Sequence, residues 1–137
     1  IKKEVNISKV SSWYKSEPVP ISTQPWFINA VIEISTNKSS LDLLKFILNI
    51  EENFGRIRVK KNESRIIDLD IIDYKKKIIY KKNKLITPHP RMHKRSFVLL
   101  PLSELSPKWV HPIKKKGIQE LINNIKDRQK ILKIFEK

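Results

Sequence analysis

The sequence predicts an α+β protein, with helices packed on a mainly antiparallel sheet. Short apolar and β-branched stretches at 5–15, 26–35 and 65–72 read as strands. Proline-rich or lysine-rich segments at 16–25 and 75–77 break them apart. Segments of helical periodicity follow runs of strands instead of alternating with each one, which favours α+β over a parallel βαβ sheet.

The first stretch alternates loosely through Val5, Ile7, Val10 and Trp13. Pro18, Pro20 and Pro25 then impose an extended loop. WFINAVIEIS at 26–35 is the clearest strand, with Asn29 as its odd polar residue. A buried amide needs hydrogen-bond partners, and the segment alone suggests a core role for it. Ser39 or Ser40 can cap a helix to about Asn53, whose Leu41, Leu44, Ile47, Leu48 and Glu51 fall on or beside one face and which Gly55 ends. After the 65–72 strand, Lys75–Lys77 is read as a turn and Ile78–Tyr80 as its hairpin partner. Pro88 and Pro90 exclude helix and central strand around His89. Ser96–Leu105 reads as a helix despite Pro101, and Gly117–Lys126 as a second amphipathic one. The last ten residues show no clear pattern.

At 137 residues the chain suggests a single domain, 1–137, long enough for one hydrophobic core. It has no cysteine, which removes disulfides and thiolate metal sites. Neither a membrane-span-length apolar run nor a secretory signal pattern is present, so a cytoplasmic protein without a membrane partner is expected. The net charge of +15 suits an anionic partner, either nucleic acid or a polyphosphate. Only six of the 29 basic residues are arginine, however, and isoleucine nearly matches lysine. That bias fits an A+T-rich coding sequence, so the overall charge is read as compositional and the arginine positions as informative.

The stretch Arg65–Ile72 concentrates the chemistry. Asp68 and Asp70 are two residues apart, so in a strand they share a face, with Cα atoms roughly 6–7 Å apart. Ile67, Leu69 and Ile71 take the other face. Paired carboxylates on an apolar strand call for a cation, and Mg²⁺ with phosphate oxygens is the natural candidate. A wet edge strand with solvated aspartates is the bland alternative. Arg56, Arg58 and Arg65 precede the pair, and Arg91 and Arg95 follow the Thr87–Pro90 loop. Arginine clamps phosphate bidentately, so these are parts for phosphoryl transfer. The two glycines, Gly55 and Gly117, make no phosphate-cradling loop. His89 and His93 lack a third ligand at zinc spacing.

The ordered set Pro25-x-Phe27-x-Asn29-Ala30, Glu51-x-x-x-Gly55-Arg56-x-Arg58, Arg65-x-x-Asp68-Leu-Asp70, Thr87-Pro-His89-Pro-Arg-Met-His-x-Arg95-x-Phe97 and Trp109-x-His111-Pro112 resembles the 6-hydroxymethyl-7,8-dihydropterin pyrophosphokinase family. The match covers nearly the whole chain. The resemblance implies a ferredoxin-like α+β fold and a folate-biosynthesis enzyme that moves pyrophosphate from ATP to the pterin hydroxymethyl, leaving AMP. It implies that Asp68 and Asp70 ligate two Mg²⁺ ions and that Arg56 and Arg65 are catalytic. On the ATP side it points to Glu51, Arg58, Lys61, Ile71, His89 and Arg95. On the pterin side it points to Ser16, Val19, Phe27, Asn29 and Phe97, with Asn29 reading the ring edge and Phe97 stacking on it. The implied partners are these small molecules, with no nucleic acid, and the expected state is a monomer, a dimer being the alternative.

The chain departs from the family pattern in places. The usual opening Gly-Ser-Asn strand and first helix are not seen, so a start truncated at the N-terminus is expected, with an exposed sheet edge. Glu63 stands where a small residue is usual, Asn62 where some members carry an aromatic, and the loop from Arg58 to Arg65 is short. The competing readings are a basic RNA-binding module on a ferredoxin-like sheet, which leaves the aspartate pair unexplained, and an inactive homologue or fragment.

Overall fold

Each of the two long strands expected at 5–15 and 26–35 is broken in the middle, and the breaks face each other. The structure, a computed structural model, describes residues 4–18, 25–55, 67–126 and 129–134. The first stretch forms β1 (Val5–Val10) and β2 (Trp13–Ser16), and the second forms β3 (Phe27–Asn29) and β4 (Ile32–Thr36). β1 pairs with β4 and β2 with β3, both antiparallel. At the join, Ser11 N–H donates to Val31 O and Val31 N–H donates to Ser11 Oγ, each at 2.9 Å. A side-chain oxygen thus replaces a backbone carbonyl in the ladder, and one ribbon becomes two short sheets.

α1 (Ser40–Gly55) follows, and Ser39 Oγ accepts Asp42 N–H at 3.1 Å as its N-terminal cap. β5 (Ile79–Lys81) and β6 (Leu85–Thr87) make an antiparallel hairpin whose turn carries Asn83 at φ 61°. Asparagine tolerates that left-handed conformation. A single 3₁₀ turn, Met92–Lys94, leads into α2 (Ser96–Leu105), and α3 (Ile118–Asn123) packs on α2. β7 (Ile131–Ile134) pairs antiparallel with β2, giving the order β3-β2-β7. The class is α+β with antiparallel sheets, as expected, though among the described residues the strands fall into three small sheets.

Several boundaries differ from expectation. Residues 67–73 belong to no strand, so the Asp strand is not a strand over its described part. Ile78–Tyr80 does not turn back on it, because β5 finds its partner in β6 across the Lys82–Lys84 turn. α3 is shorter than Gly117–Lys126. The patternless C-terminal stretch contributes β7, because β2 offers it a free edge.

The core forms where α2 and α3 meet the 3₁₀ turn. Met92 and Leu99 are fully buried, with Val98, Leu102, Trp109, Ile118 and Leu121 around them. Val31 and Ile72 pack against this cluster from two other segments, and Phe97 does so from the first turn of α2 itself. These three lie two residues from Asn29, Asp70 and Arg95 respectively, so the core fixes the segments that carry those residues. Among the described residues no helix is long and apolar enough to cross a membrane.

Candidate functional site

Residues 67–73 lie outside any ladder yet keep the period-two alternation expected of them. Ile67, Leu69 and Ile71 are half-buried, while Asp68 and Asp70 are exposed. The two carboxylates therefore lie on the solvent side of a segment whose apolar side chains hold it down. Two hydrogen bonds tether its backbone. Glu51 Oε2, near the end of α1, accepts Leu69 N–H at 2.7 Å. Ile72 O accepts His89 N–H at 2.8 Å. The first tether falls between the two aspartates, and the second joins their segment to the histidine loop.

His89 is half-buried between the aspartate segment and two arginines. Burial is the main reason its pKa lies below the ordinary 6.5; Asp70 pulls it up, and Arg95 and Arg91 push it down. Arg91 N–H donates to His89 Nδ1 at 3.1 Å. With Nδ1 accepting, the neutral ring carries its proton on Nε2, which is left as a donor. The Arg95 guanidinium carbon lies 5.5 Å from the Phe97 ring centroid, a cation–π pair at the start of α2. Asp70, His89, Arg95 and Phe97 thus form one neighbourhood, and Ile71 follows Asp70 in the chain.

The described pterin-side candidates lie on β2, β3 and α2. Ser16 and Phe27 are cross-strand partners, Ser16 buried and Phe27 53% exposed. Asn29, half-buried, ends β3 opposite Tyr14. Phe97, on α2, packs against the same core cluster as Val31, two residues beyond Asn29. Glu51 is joined to the aspartate segment. Val19, Arg56, Arg58, Lys61 and Arg65 lie outside the described residues. The backbone amide of Arg91, which sets the His89 tautomer, was not singled out from the sequence because backbone donors leave no residue-type signal. Nor was Asp73, whose Oδ2 accepts Lys76 N–H at 3.2 Å while Oδ1 is buried beside the Trp109 indole without reaching hydrogen-bond geometry.

Among the described residues no group of three metal-binding side chains converges. Two exposed carboxylates are nevertheless hard-oxygen ligands of the kind Mg²⁺ takes when substrate phosphate completes its shell. With a neutral histidine donor and an arginine alongside, these are the groups of a phosphate-handling site.

That class narrows on comparison with known proteins. The family model described as 7,8-dihydro-6-hydroxymethylpterin-pyrophosphokinase (HPPK) matches residues 1–107, and the chain belongs to this family. The 2-amino-4-hydroxy-6-hydroxymethyldihydropteridine pyrophosphokinase of Haemophilus influenzae is 40% identical over 121 residues, covering 88% of this chain and 74% of that protein. The protein of the same name from Synechocystis is 39% identical over 121 residues, covering 88% of this chain and 61% of its own length. The folic acid synthesis protein FOL1 of Dictyostelium discoideum is 43% identical over 112 residues, 82% of this chain, which spans only 17% of that protein.

Proposed function

We propose that this chain carries the activity for which its relatives are named: transfer of pyrophosphate from ATP to 6-hydroxymethyl-7,8-dihydropterin in folate biosynthesis. The observation that carries the reading is the exposed Asp68/Asp70 pair tethered at Leu69 and Ile72, with His89 and Arg95 beside it. In the reaction the pterin hydroxymethyl oxygen bonds to the β-phosphorus of ATP. The bond from that phosphorus to the α,β-bridging oxygen breaks, AMP leaves, and the hydroxyl proton passes to solvent.

Asp68 and Asp70 would hold magnesium, which draws phosphate oxygens together and offsets their charge. His89, neutral at pH 7, donates from Nε2 to a phosphate oxygen without adding a charge that must be desolvated. Arg95, held over Phe97, supplies a fixed cation for the same phosphates. Arg56 and Arg65 fill the catalytic cation roles, and Arg58, Lys61 and Ile71 line the nucleotide. Asn29 reads the pterin edge, Phe97 stacks on the ring, and Ser16, Val19 and Phe27 line its pocket.

The test is AMP release that depends on both ATP and the dihydropterin in the full-length protein, with Asp70→Asn and Asp68→Asn beside the parent. Loss of a metal ligand should lower turnover by at least about 100-fold while pterin affinity stays within about threefold. Turnover within tenfold of the parent for both variants would refute the metal assignment. An RNA-binding role would show instead as Mg²⁺-independent, salt-sensitive retention of single-stranded RNA with no AMP release.

A further inference from the structure

Glu51, placed on the ATP side by the resemblance, makes a hydrogen bond to the aspartate segment. It lies in the last turn but one of α1, 18 residues before Leu69, and its Oε2 accepts the Leu69 N–H at 2.7 Å. Leu69 separates the two aspartates, and its N–H belongs to the peptide unit that begins with the Asp68 carbonyl. Turning that plane rotates Asp68 about ψ and Leu69 about φ, which changes how far apart the two carboxylates sit. In a strand the ladder would fix this plane from both sides. Here residues 67–73 have no ladder, and the tethers seen are one bond from Glu51 and one from Ile72 to His89. An ionised carboxylate makes about the strongest acceptor a backbone amide can find. The side chain is half-buried, so the bond is partly shielded from water.

From this geometry we infer that Glu51 is a positioning residue: through the Leu69 amide it sets the spacing and direction of Asp68 and Asp70. The inference rests on the reading of the two aspartates as the metal-holding pair. A metal site tolerates only small errors in ligand placement, and a group that orients a ligand is worth roughly 10–100-fold in metal affinity. A third carboxylate beside the pair would otherwise raise repulsion there. With one oxygen engaged by an N–H, part of that charge is already met.

Two substitutions in the full-length protein separate the roles. Glu51→Gln keeps an acceptor oxygen of the same reach and removes the charge, whereas Glu51→Ala removes the acceptor. The measurements are hydrogen exchange at the Leu69 amide, Mg²⁺ and Mn²⁺ titration by calorimetry with a non-transferable ATP analogue present, and analogue affinity at saturating Mg²⁺. Glu51→Ala should speed Leu69 exchange about tenfold and weaken metal binding by roughly 10–100-fold. Analogue affinity at saturating metal should hold within about twofold. Glu51→Gln should stay within about threefold of the parent on all three. Unfolding midpoints identify any variant that has lost its fold, and Glu51→Gln then carries the comparison alone. If Glu51→Gln loses analogue affinity at saturating metal as badly as Glu51→Ala does, Glu51 binds the nucleotide through its charge and the inference is overturned. Unchanged Leu69 exchange in Glu51→Ala overturns it too. A parallel Asp70→Asn variant that binds metal like the parent would sink the aspartate reading and this inference with it, while the Leu69 exchange would still show whether the tether exists.

Discussion

Replacing Glu104 with alanine should destabilise the fold by several kcal/mol. Glu104 is the point where α2 is fastened to the sheet. Its Oε1 accepts both the N–H and the hydroxyl of Ser12 at 2.8 Å, and its Oε2 accepts the Tyr14 hydroxyl at 2.7 Å. Lys133 of β7 lies 3.8 Å from Oε2. Three bonds to one carboxylate contribute about 1 kcal/mol each, net of the water they replace. Tyr14 is only 9% exposed, so its hydroxyl would be left short of partners, whereas Ser12 can rehydrate. The lysine pair, with side chains 39% and 28% exposed, adds under about 1 kcal/mol. The sum is about 2–4 kcal/mol, a fall in Tm of roughly 8–15 °C for a chain of this size.

The same contacts leave a titration signature. Burial pushes the Glu104 carboxyl up, but the hydrogen bonds from Tyr14 and Ser12, with Lys133 nearby, outweigh it and hold the group below its ordinary value. Its contribution is therefore present above the unfolded carboxylate range and is lost as pH falls through the folded value. Burial, then the bond to Glu104, pushes the Tyr14 phenol up to about 12. Stability should therefore also decline as pH climbs from the unfolded value of 10.0 towards 12. Urea unfolding of the parent, Glu104→Ala, Tyr14→Phe and the double variant forms a cycle whose coupling should be about 1 kcal/mol. A loss below about 0.5 kcal/mol in Glu104→Ala, or strict additivity, would show that the network contributes nothing to folding.

Two further outcomes follow from buried titrating groups. His89, His93 and His111 are all held below the ordinary 6.5, in each case mainly by burial; His111 accepts from the amides of Ile113 and Lys114 on Nδ1. Their neutral forms favour the fold, so unfolding midpoints should drop as pH falls below 6.5, and His111→Phe should flatten that slope. Asp73 is raised above its ordinary 3.8 by burial, against the opposing Lys76 amide. Its ionised form penalises the fold once pH exceeds 3.8, so Asp73→Asn, which keeps an acceptor for Lys76, should raise the urea midpoint at neutral pH and not at about pH 3. A pH-independent effect of Asp73→Asn would mean packing, and not charge, governs that site.

What could be read from the sequence was what repeats or what is named by residue type. Period two marked both halves of the bent ribbon. It also put Asp68 and Asp70 on one side and Ile67, Leu69 and Ile71 on the other even though no ladder holds them; that the aspartate side faces solvent was only the bland alternative. Ser39 and the apolar spacing marked α1, and Pro101 did not hide α2, whose Leu99 and Leu102 meet the core. What escaped was pairing. Nothing in Ser11 announces that its hydroxyl will take Val31 N–H and split two strands. β5 could pair with either neighbour, and the turn at Lys82–Lys84 decided it. β7 has no signal apart from the edge of β2 that it covers. Within the site, residue types gave the carboxylates, histidine and arginines, while the backbone contacts that aim them, at Leu69 and Arg91, could not be seen.

The two halves of the site are therefore held in unlike ways, and this separates stability from chemistry. Arg95 and Phe97 begin a helix whose next residues, Val98 and Leu99, are buried in the core. Loosening Glu104 at the far end of α2 leaves that anchor intact. Truncating Leu99 would remove it, at about 2–5 kcal/mol. The backbone between Asp68 and Asp70 is held differently, by the bonds to Glu51 and His89 and by three half-buried aliphatics. A change there costs the fold little, because one exposed-segment hydrogen bond contributes about 1 kcal/mol. Its effect on chemistry is larger, because displacing a reacting group by about 1 Å can cost 100-fold in rate. Substitutions along α2 should therefore shift Tm first and turnover only near it. Substitutions at Glu51 or in the Asp68–Asp70 segment should change turnover at temperatures where the fold is fully intact.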